Sequence, residues 1–276
     1  MAVPLTVADI ARFIDERWSA RIKEDWDSVG LIAGDPDAPV TKILLAVDPV
    51  MPVIDEAVRR GADMIVTHHP LLLKGVHSVA AVDHKGRIVH TLISNGIALL
   101  NAHTNADHGI RGVSDALALR LGLVDLRPIV QMSQEVGIGT GRVGELPRPV
   151  PLQTLAEQVA RVLPATHHGV RVAGDPEAMV RTVAVCGGSG GSLLAEASRV
   201  ADVYITADLR HHIAQDHLMD GGCALIDVSH WASEWPWLEY AAEALVADAA
   251  GRGSTVEVHV STTPTDPWSL HLGSPL

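Results

Sequence analysis

Short apolar runs alternate with amphipathic stretches along most of this chain, and no other feature restricts its fold as much. KILLAVD (Lys42–Asp48), ADMIVTHH (Ala62–His69) and Ile97–Asn101 have the length and composition of buried strands. Val53–Arg60, Lys85–Ser94 and Val113–Leu121 read as helices, as does Thr6–Ala20 with Thr6 as its N-cap, and Gly61 ends the helix over Val53–Arg60. A glycine-rich stretch, Glu135–Gly144, suits a strand or hairpin. The rhythm then resumes with a helix over Leu152–Leu163, VRTVAVC, LLAEASRV, VYIT, a helix near His212–Met219, CALIDV, a long helix to Ala250 and a last strand, Thr255–Ser261. Alternation of this kind predicts an α/β fold, two similar lobes with mainly parallel or mixed sheets, divided as residues 1–126 and 127–276.

The halves also match each other weakly, AVD…IDEAVRRGADMIVTHHP…NGIALLNAHTNAD against AVC…LLAEASRVADVYITADLRHH…GGCALIDVSHWASE. Placing Thr67 on Thr206 and His103 on His230 keeps strand with strand, with an insertion near LLLKGVHSVA. Duplication and chance likeness of two βαβ units give the same architecture. Every matched strand ends in metal-capable side chains: His68-His69, His103 with Asp107, His211-His212, and His230 with Glu234. Ligands of open α/β sheets collect at the carboxyl ends of strands, so the four ends predict a metal site at the interface of the lobes.

Each residue has a plainer reading beside the functional one. Adjacent histidines also cap helices or lie at the surface, and Asp107 suits an Asx-turn. His230 and Glu234 are four apart, but Pro236 places the helix start near Ser233, so the pair straddles a strand end and a first turn, where Glu234 also suits a capping box. Together the imidazoles and carboxylates suit two divalent ions without distinguishing zinc, iron, manganese, cobalt or nickel. Two ions about 3.5–4 Å apart activate water in hydrolases; storage needs the same ligands. GGSGG (Gly187–Gly191), after a strand and before a helix, suits either a phosphate cradle of backbone N–H groups or a flexible turn.

Composition narrows the partners. With 21 basic and 33 acidic residues the net charge is −12, which argues against nucleic acid and anionic membranes but permits a local pocket for a small anion. No basic leader with an apolar core opens the chain, and no stretch of about 18 apolar residues suits a membrane span, so a cytoplasmic protein is expected. Cys186 and Cys223 sit in apolar stretches as buried reduced thiols.

Taken together, EDWDSVGLIAGDP, ADMIVTHHPLL, NAHTNAD, VSDALALRLGL, ITADLRHH and IDVSHWASE resemble the Nif-three-like dinuclear-metal proteins, often labelled GTP cyclohydrolase I type 2 homologs, over nearly the whole chain. The resemblance implies His68, His69, Asp107, His230 and Glu234 as metal ligands, with Glu234 bridging, His68 and Asp107 on one ion and His69 and His230 on the other. It implies a homohexamer and, in the family-derived version of a metal-dependent hydrolase, opening of the guanine imidazole ring of GTP with formate release. Around the metal, His103, His211 and His212 are candidates to move protons and Asp27, Lys74, Asn105 and Arg210 candidates to contact a small anionic or nucleotide-like substrate, with a solvated or structural polar role as the plainer reading of each. A metallo-phosphoesterase and a non-catalytic metal-binding or regulatory hexamer remain as alternatives. Two departures are visible: Ser28 stands where the family usually has Asn, and the short Leu126–Gly144 connection leaves no room for the third domain that longer members insert.

Overall fold

The runs read as buried strands are covered on both faces, and they pair in parallel. In the computed structural model, which describes residues 4–273, β1 (Leu5–Thr6) and β3 (Pro39–Val40) form a small antiparallel pair. The main sheet of the first unit runs β15-β4-β5-β6-β2, from β2 (Gly30–Ala33), β4 (Lys42–Ala46), β5 (Met64–Thr67), β6 (Ala98–Asn101) and, returning late in the chain, β15 (Glu257–Val260). Only the edge strand β2 is antiparallel to its neighbour. Ile43, Leu44, Leu45, Met64, Ile65 and Val66 are all fully buried, which is why these strands read as unbroken apolar runs rather than alternating ones.

Helices α1 (Val7–Arg17), α2 (Met51–Arg60), α3 (His84–Ser94) and α4 (Thr104–His108) belong to the same unit. The Thr6 hydroxyl accepts from the Asp9 N–H at 3.2 Å while the Asp9 carboxylate accepts from the Thr6 N–H at 2.9 Å, a capping box that fixes the start of α1. Gly61, at φ 64°, closes α2 in the left-handed conformation. Val53, Ile54 and Ala57 of α2 and Ile88, Val89 and Leu92 of α3 join one core with Leu44, Ile65 and Leu99. Each larger side chain buried in this way contributes about 1.5–3 kcal/mol.

One buried carboxylate ties α2 to the segment after β15. Glu56 accepts hydrogen bonds from Ser261 at 2.6 Å, Thr263 at 3.0 Å and Arg60 at 2.8 Å. Burial alone raises its pKa, but the hydrogen bonds from Ser261, Arg60 and Thr263 outweigh that and hold it below the ordinary glutamate value. A depressed folded pKa adds stability above the unfolded value, about 4.3, and loses it as the pH falls through the folded one. Glu56→Gln is therefore expected to cost about 1–3 kcal/mol at pH 7 and to flatten the acid limb, measured by urea unfolding between pH 7 and pH 3. An unchanged acid limb would remove Glu56 from this role.

In the second unit the strands are β7 (Val124–Arg127), β8 (Val130–Gln131), β9 (Gly139–Thr140), β10 (Arg142–Pro151), β11 (Arg171–Ala173), β12 (Met179–Ser189), β13 (Val203–Ala207) and β14 (Ala224–Val228). Six of them form a sheet in the order β11-β14-β13-β12-β10-β7. Only β12, β13 and β14 run parallel, with β10, β7 and β11 antiparallel at the flanks, so the sheet is mixed. The glycine-rich connection forms the hairpin β8-β9 and runs on into β10. Its helices are α5 (Val113–Arg120), α6 (Leu152–Val162), α7 (Leu194–Ser198), α8 (His211–Met219) and α9 (His230–Glu234), and α10 (Pro236–Gly251) carries the chain back to the first unit.

Packing groups the chain up to Gly109 with Leu238–Thr265, and Ile110–Trp237 with the residues from Asp266 onward, whereas the sequence suggested one cut at 126/127. Residues 110–126 fall in the second unit because Asp115 of α5 holds the buried Arg142 and β7 pairs with β10. A second difference lies at α9, which begins at His230 and not near Ser233, because the Ser229 hydroxyl caps it by accepting from the Ala232 N–H. Pro236 instead starts the next helix, a position where its missing N–H costs nothing. Neither cysteine is in a disulfide; Cys186 is buried and Cys223 half-buried. Among the described residues no helix is long and apolar enough to cross a membrane.

Candidate metal centre

Sheet register explains why the histidines of the first unit gather. Ala46 lies opposite Thr67 and Thr67 opposite Asn101, so Asp48, His69 and His103, each two residues further on, leave adjacent strand ends. His68, His69 and His103 pack with ring centroids 5.0, 5.2 and 5.5 Å apart. Each offers a ring nitrogen within 4.8 Å of the others.

The Nδ1 atoms are all spoken for. His68 is buried and donates to the Ala102 carbonyl at 2.9 Å. His69 donates to Asp48 at 2.7 Å, and Asp48 also accepts from the Thr265 hydroxyl. His103 donates to Asp27 at 2.9 Å. A carbonyl or an ionised carboxylate only accepts, so these partners place the proton on Nδ1 and the lone pair on Nε2, the tautomer a metal ligand needs. Asp107, on α4, brings Oδ1 to 3.6 Å from Nε2 of His68. That is too long for a hydrogen bond and close to the spacing of two ligands on one cation.

Asp27 shows how firmly this arrangement is held. Burial pushes its pKa up, but hydrogen bonds from His103 and from the Thr104 hydroxyl and N–H outweigh it and hold the carboxyl well below the usual range. It stays anionic and fixes both the His103 ring and the first turn of α4. Beside it, Ser28 is used through its backbone: its N–H donates to Asp27 and its carbonyl accepts from the Asn101 amide.

The second unit repeats the device. His230 Nδ1 donates to Asp208 at 2.7 Å, and its Nε2 lies 2.9 Å from Oε1 of the buried Glu234, one helical turn along α9. With Nδ1 committed, a neutral His230 has only a lone pair to turn toward that carboxylate. The contact calls for a cation, either a proton or a metal ion, between or beside the two groups. Each of the four histidines is thus oriented through Nδ1, and each unit sets an imidazole Nε2 beside a carboxylate, His68 with Asp107 and His230 with Glu234, donor types that suit a divalent ion.

Other residues fall elsewhere. His211 and His212 are exposed at the start of α8, their rings 5.0 Å apart, with Arg210 exposed just before them. Lys74 is exposed between β5 and α3. Asn105 is buried, its amide donating to the Trp18 carbonyl at 2.6 Å, and Asp27 is taken up as described. The repeat correspondence shifts by one residue: Thr206 lies opposite Asp227, so matching Thr67 to Thr206 aligns His103 with Ser229 rather than His230. Sequence reasoning missed Asp48 and Asp208, the carboxylates that orient His69 and His230. Their signal is positional, one acidic residue just past an apolar strand that neighbours a histidine-bearing one.

Residues 5–267 match the family model described as Duf34/NIF3 (NGG1p interacting factor 3). A Streptomyces coelicolor protein named GTP cyclohydrolase 1 type 2 homolog is 50% identical over 271 residues, covering 97% of this chain and 95% of that one. The crystal structure of a Staphylococcus aureus hypothetical protein is similar with a TM-score of 0.89 and 29% identity, covering 97% of this chain and 99% of that one. A Bacillus cereus protein related to NIF3 shares the fold at a TM-score of 0.90 and 23% identity, over 97% of this chain and 99% of that one. By the span of the model and the identity to these relatives, the chain belongs to the NIF3 family.

Proposed function

We propose that the protein is a dinuclear metal-dependent hydrolase acting on a small, anionic, nucleotide-like substrate. The observation that carries this is the shared orientation of four histidines, His68, His69, His103 and His230, each with Nδ1 held by an acceptor, so that Nε2 is the ring atom a metal would meet. In this proposal His68 and Asp107 would hold one ion and His69 and His230 the other, with Glu234 as the carboxylate that would be shared. When bound, such a pair of ions supplies Lewis-acid polarisation and activates water for attack.

The chain's own groups do the rest. Asp48, Asp27, Asp208 and the Ala102 carbonyl orient the imidazoles. His103 either completes the ligand set or accepts a proton at Nε2, with His211 and His212 as exposed proton carriers. Lys74 and Arg210, exposed cations in an acidic chain, are the proposed contacts for the anion, with Asp27 and Asn105 holding the surrounding backbone.

The name of the Streptomyces coelicolor relative supports a sharper version, in which water opens the guanine imidazole ring of GTP and formate leaves. We place the protein in the cytoplasm as a homohexamer, the assembly the family resemblance implies, which the mass from light scattering checks. The activity is tested by incubating metal-loaded protein with GTP and assaying formate and inorganic phosphate together. One formate per GTP consumed is expected. Phosphate without formate identifies a metallo-phosphoesterase, and turnover of neither kind leaves a metal-binding or regulatory protein.

A further inference from the structure

The glycine run Gly187–Gly191 has its own place beside the second-unit ligands. Along β12, Val185 pairs with Ile205 and Ser189 with Ala207, so four residues on one strand span two on the other and the strand bulges between them. Gly188 sits in that bulge at φ 67°. Its N–H donates to the Ser233 hydroxyl at 2.8 Å, which itself donates to the His230 carbonyl at 2.8 Å. Its carbonyl accepts from the Thr206 hydroxyl at 3.0 Å. Gly187 adds a longer bond from its N–H to the Ser114 hydroxyl at 3.4 Å. These N–H groups are engaged inside the unit, which removes them from any phosphate cradle.

What Gly188 lacks matters as much as what it binds. A Cβ at this position would lie 2.2 Å from Oε1 of Glu234, 3.0 Å from Nε2 of His230 and 3.2 Å from Cδ of Glu234. The first distance is far inside van der Waals contact, and the backbone cannot withdraw because α9 and β13 hold it from both sides. The Glu234 carboxylate thus rests in the volume that any other residue's side chain would take.

We infer that Gly188 is a positioning residue: the β12 bulge is a seat, shaped by the absent side chain, that sets the Glu234 carboxylate against Nε2 of His230 for metal binding. The inference rests on the metal reading above. It assigns to the glycine run a task in ligand geometry, and to Ser233 and Thr206 the task of holding the seat still.

Metal affinity of the full-length protein, measured by calorimetric titration with zinc or manganese alongside thermal melting, tests this. Gly188→Ala is expected to weaken binding by about 10–100-fold, the usual effect of disturbing a group that orients a ligand, while the protein stays folded. Gly188→Asn should do the same, because Asn tolerates positive φ but still carries a Cβ. Shortening the carboxylate should recover affinity in part, so Gly188→Ala with Glu234→Asp should bind more tightly than Gly188→Ala alone. Wild-type affinity in Gly188→Ala or Gly188→Asn overturns the seat, as does a loss that only tracks the unfolded fraction. Glu234→Gln is the control. If it keeps its metal, the metal reading fails and the seat with it; if it loses metal while Gly188→Ala does not, only the seat fails.

Discussion

Replacing His68 with Ala is expected to remove at least one metal ion per chain, with affinity at that position falling by more than about 100-fold, since losing an outer partner alone costs about 10–100-fold. His68 is fully buried, and its Nδ1 bond to the Ala102 carbonyl lets Nε2 point only one way. No neighbouring side chain can replace it without breaking an orienting bond of its own, because His69 and His103 are held by Asp48 and Asp27. Glu234→Ala makes the complementary test in the second unit. If the two donor sets share a pair of ions through a bridging carboxylate, either replacement lowers the metal content and both ions weaken together. If the sets act separately, Glu234→Ala leaves the ion of His68 and Asp107 untouched. His211→Ala, on the exposed face of α8, should retain full metal content. Elemental analysis after gel filtration reads all three, and full occupancy in His68→Ala would falsify the proposed ligand set.

The strand ends were legible in the sequence because parallel strands covered on both faces are written as unbroken apolar runs, and His68-His69, His103 and His230 follow such runs directly. Helix boundaries were legible where one residue decides them, as at Thr6 and Gly61. The antiparallel flanks were not. β2 (GLIA) and β7 (VDLR) are four residues each and only partly covered, so an apolar run or an alternation this short does not stand out from a loop. Nor was the grouping of the chain into units, since pairing of β15 with β4 depends on residues more than two hundred positions apart.

The candidate site divides in the same way. Side chains able to hold a metal announce themselves by type, whereas those that orient them do so by location. Asp48 and Asp208 are single aspartates after strands, with nothing in their immediate sequence to set them apart from turn residues. They become significant only when register places Asp48 beside His69 and Asp208 beside the start of α9. Gly188 is harder still. A glycine-rich loop after a strand suggests a phosphate, and only the clash that a Cβ would make with Glu234 shows that the absence of a side chain is being used.

The largest effect on stability is expected away from the metal ligands, at the pair that joins α5 to β10. Arg142 is almost wholly buried; its Nε donates to Asp115 at 2.5 Å and a terminal nitrogen donates to the other carboxylate oxygen at 3.1 Å. Its remaining donors go to the carbonyls of Gly139 and Gly141 at 2.7 Å and of Gly137 at 3.2 Å, so the guanidinium also pins the turn before β10. Asp115→Ala strands a buried cation and should cost about 3–5 kcal/mol. Replacing both residues with apolar ones, Asp115→Leu with Arg142→Met, removes the stranded charge. It should recover part of that loss but not all, because the three glycine carbonyls and the Arg111 N–H, which now donates to Asp115 at 2.6 Å, lose their partner. Urea denaturation of the two variants separates the terms, and a loss below about 1 kcal/mol in Asp115→Ala would place the pair with surface ion pairs of little consequence. If the unit around β10 loosens as expected, metal binding by His230 and Glu234 weakens only as far as β12, which pairs with β10, loses its bulge. That makes this variant a stability counterpart to Gly188→Ala, which disturbs the same ligands while leaving the sheet intact.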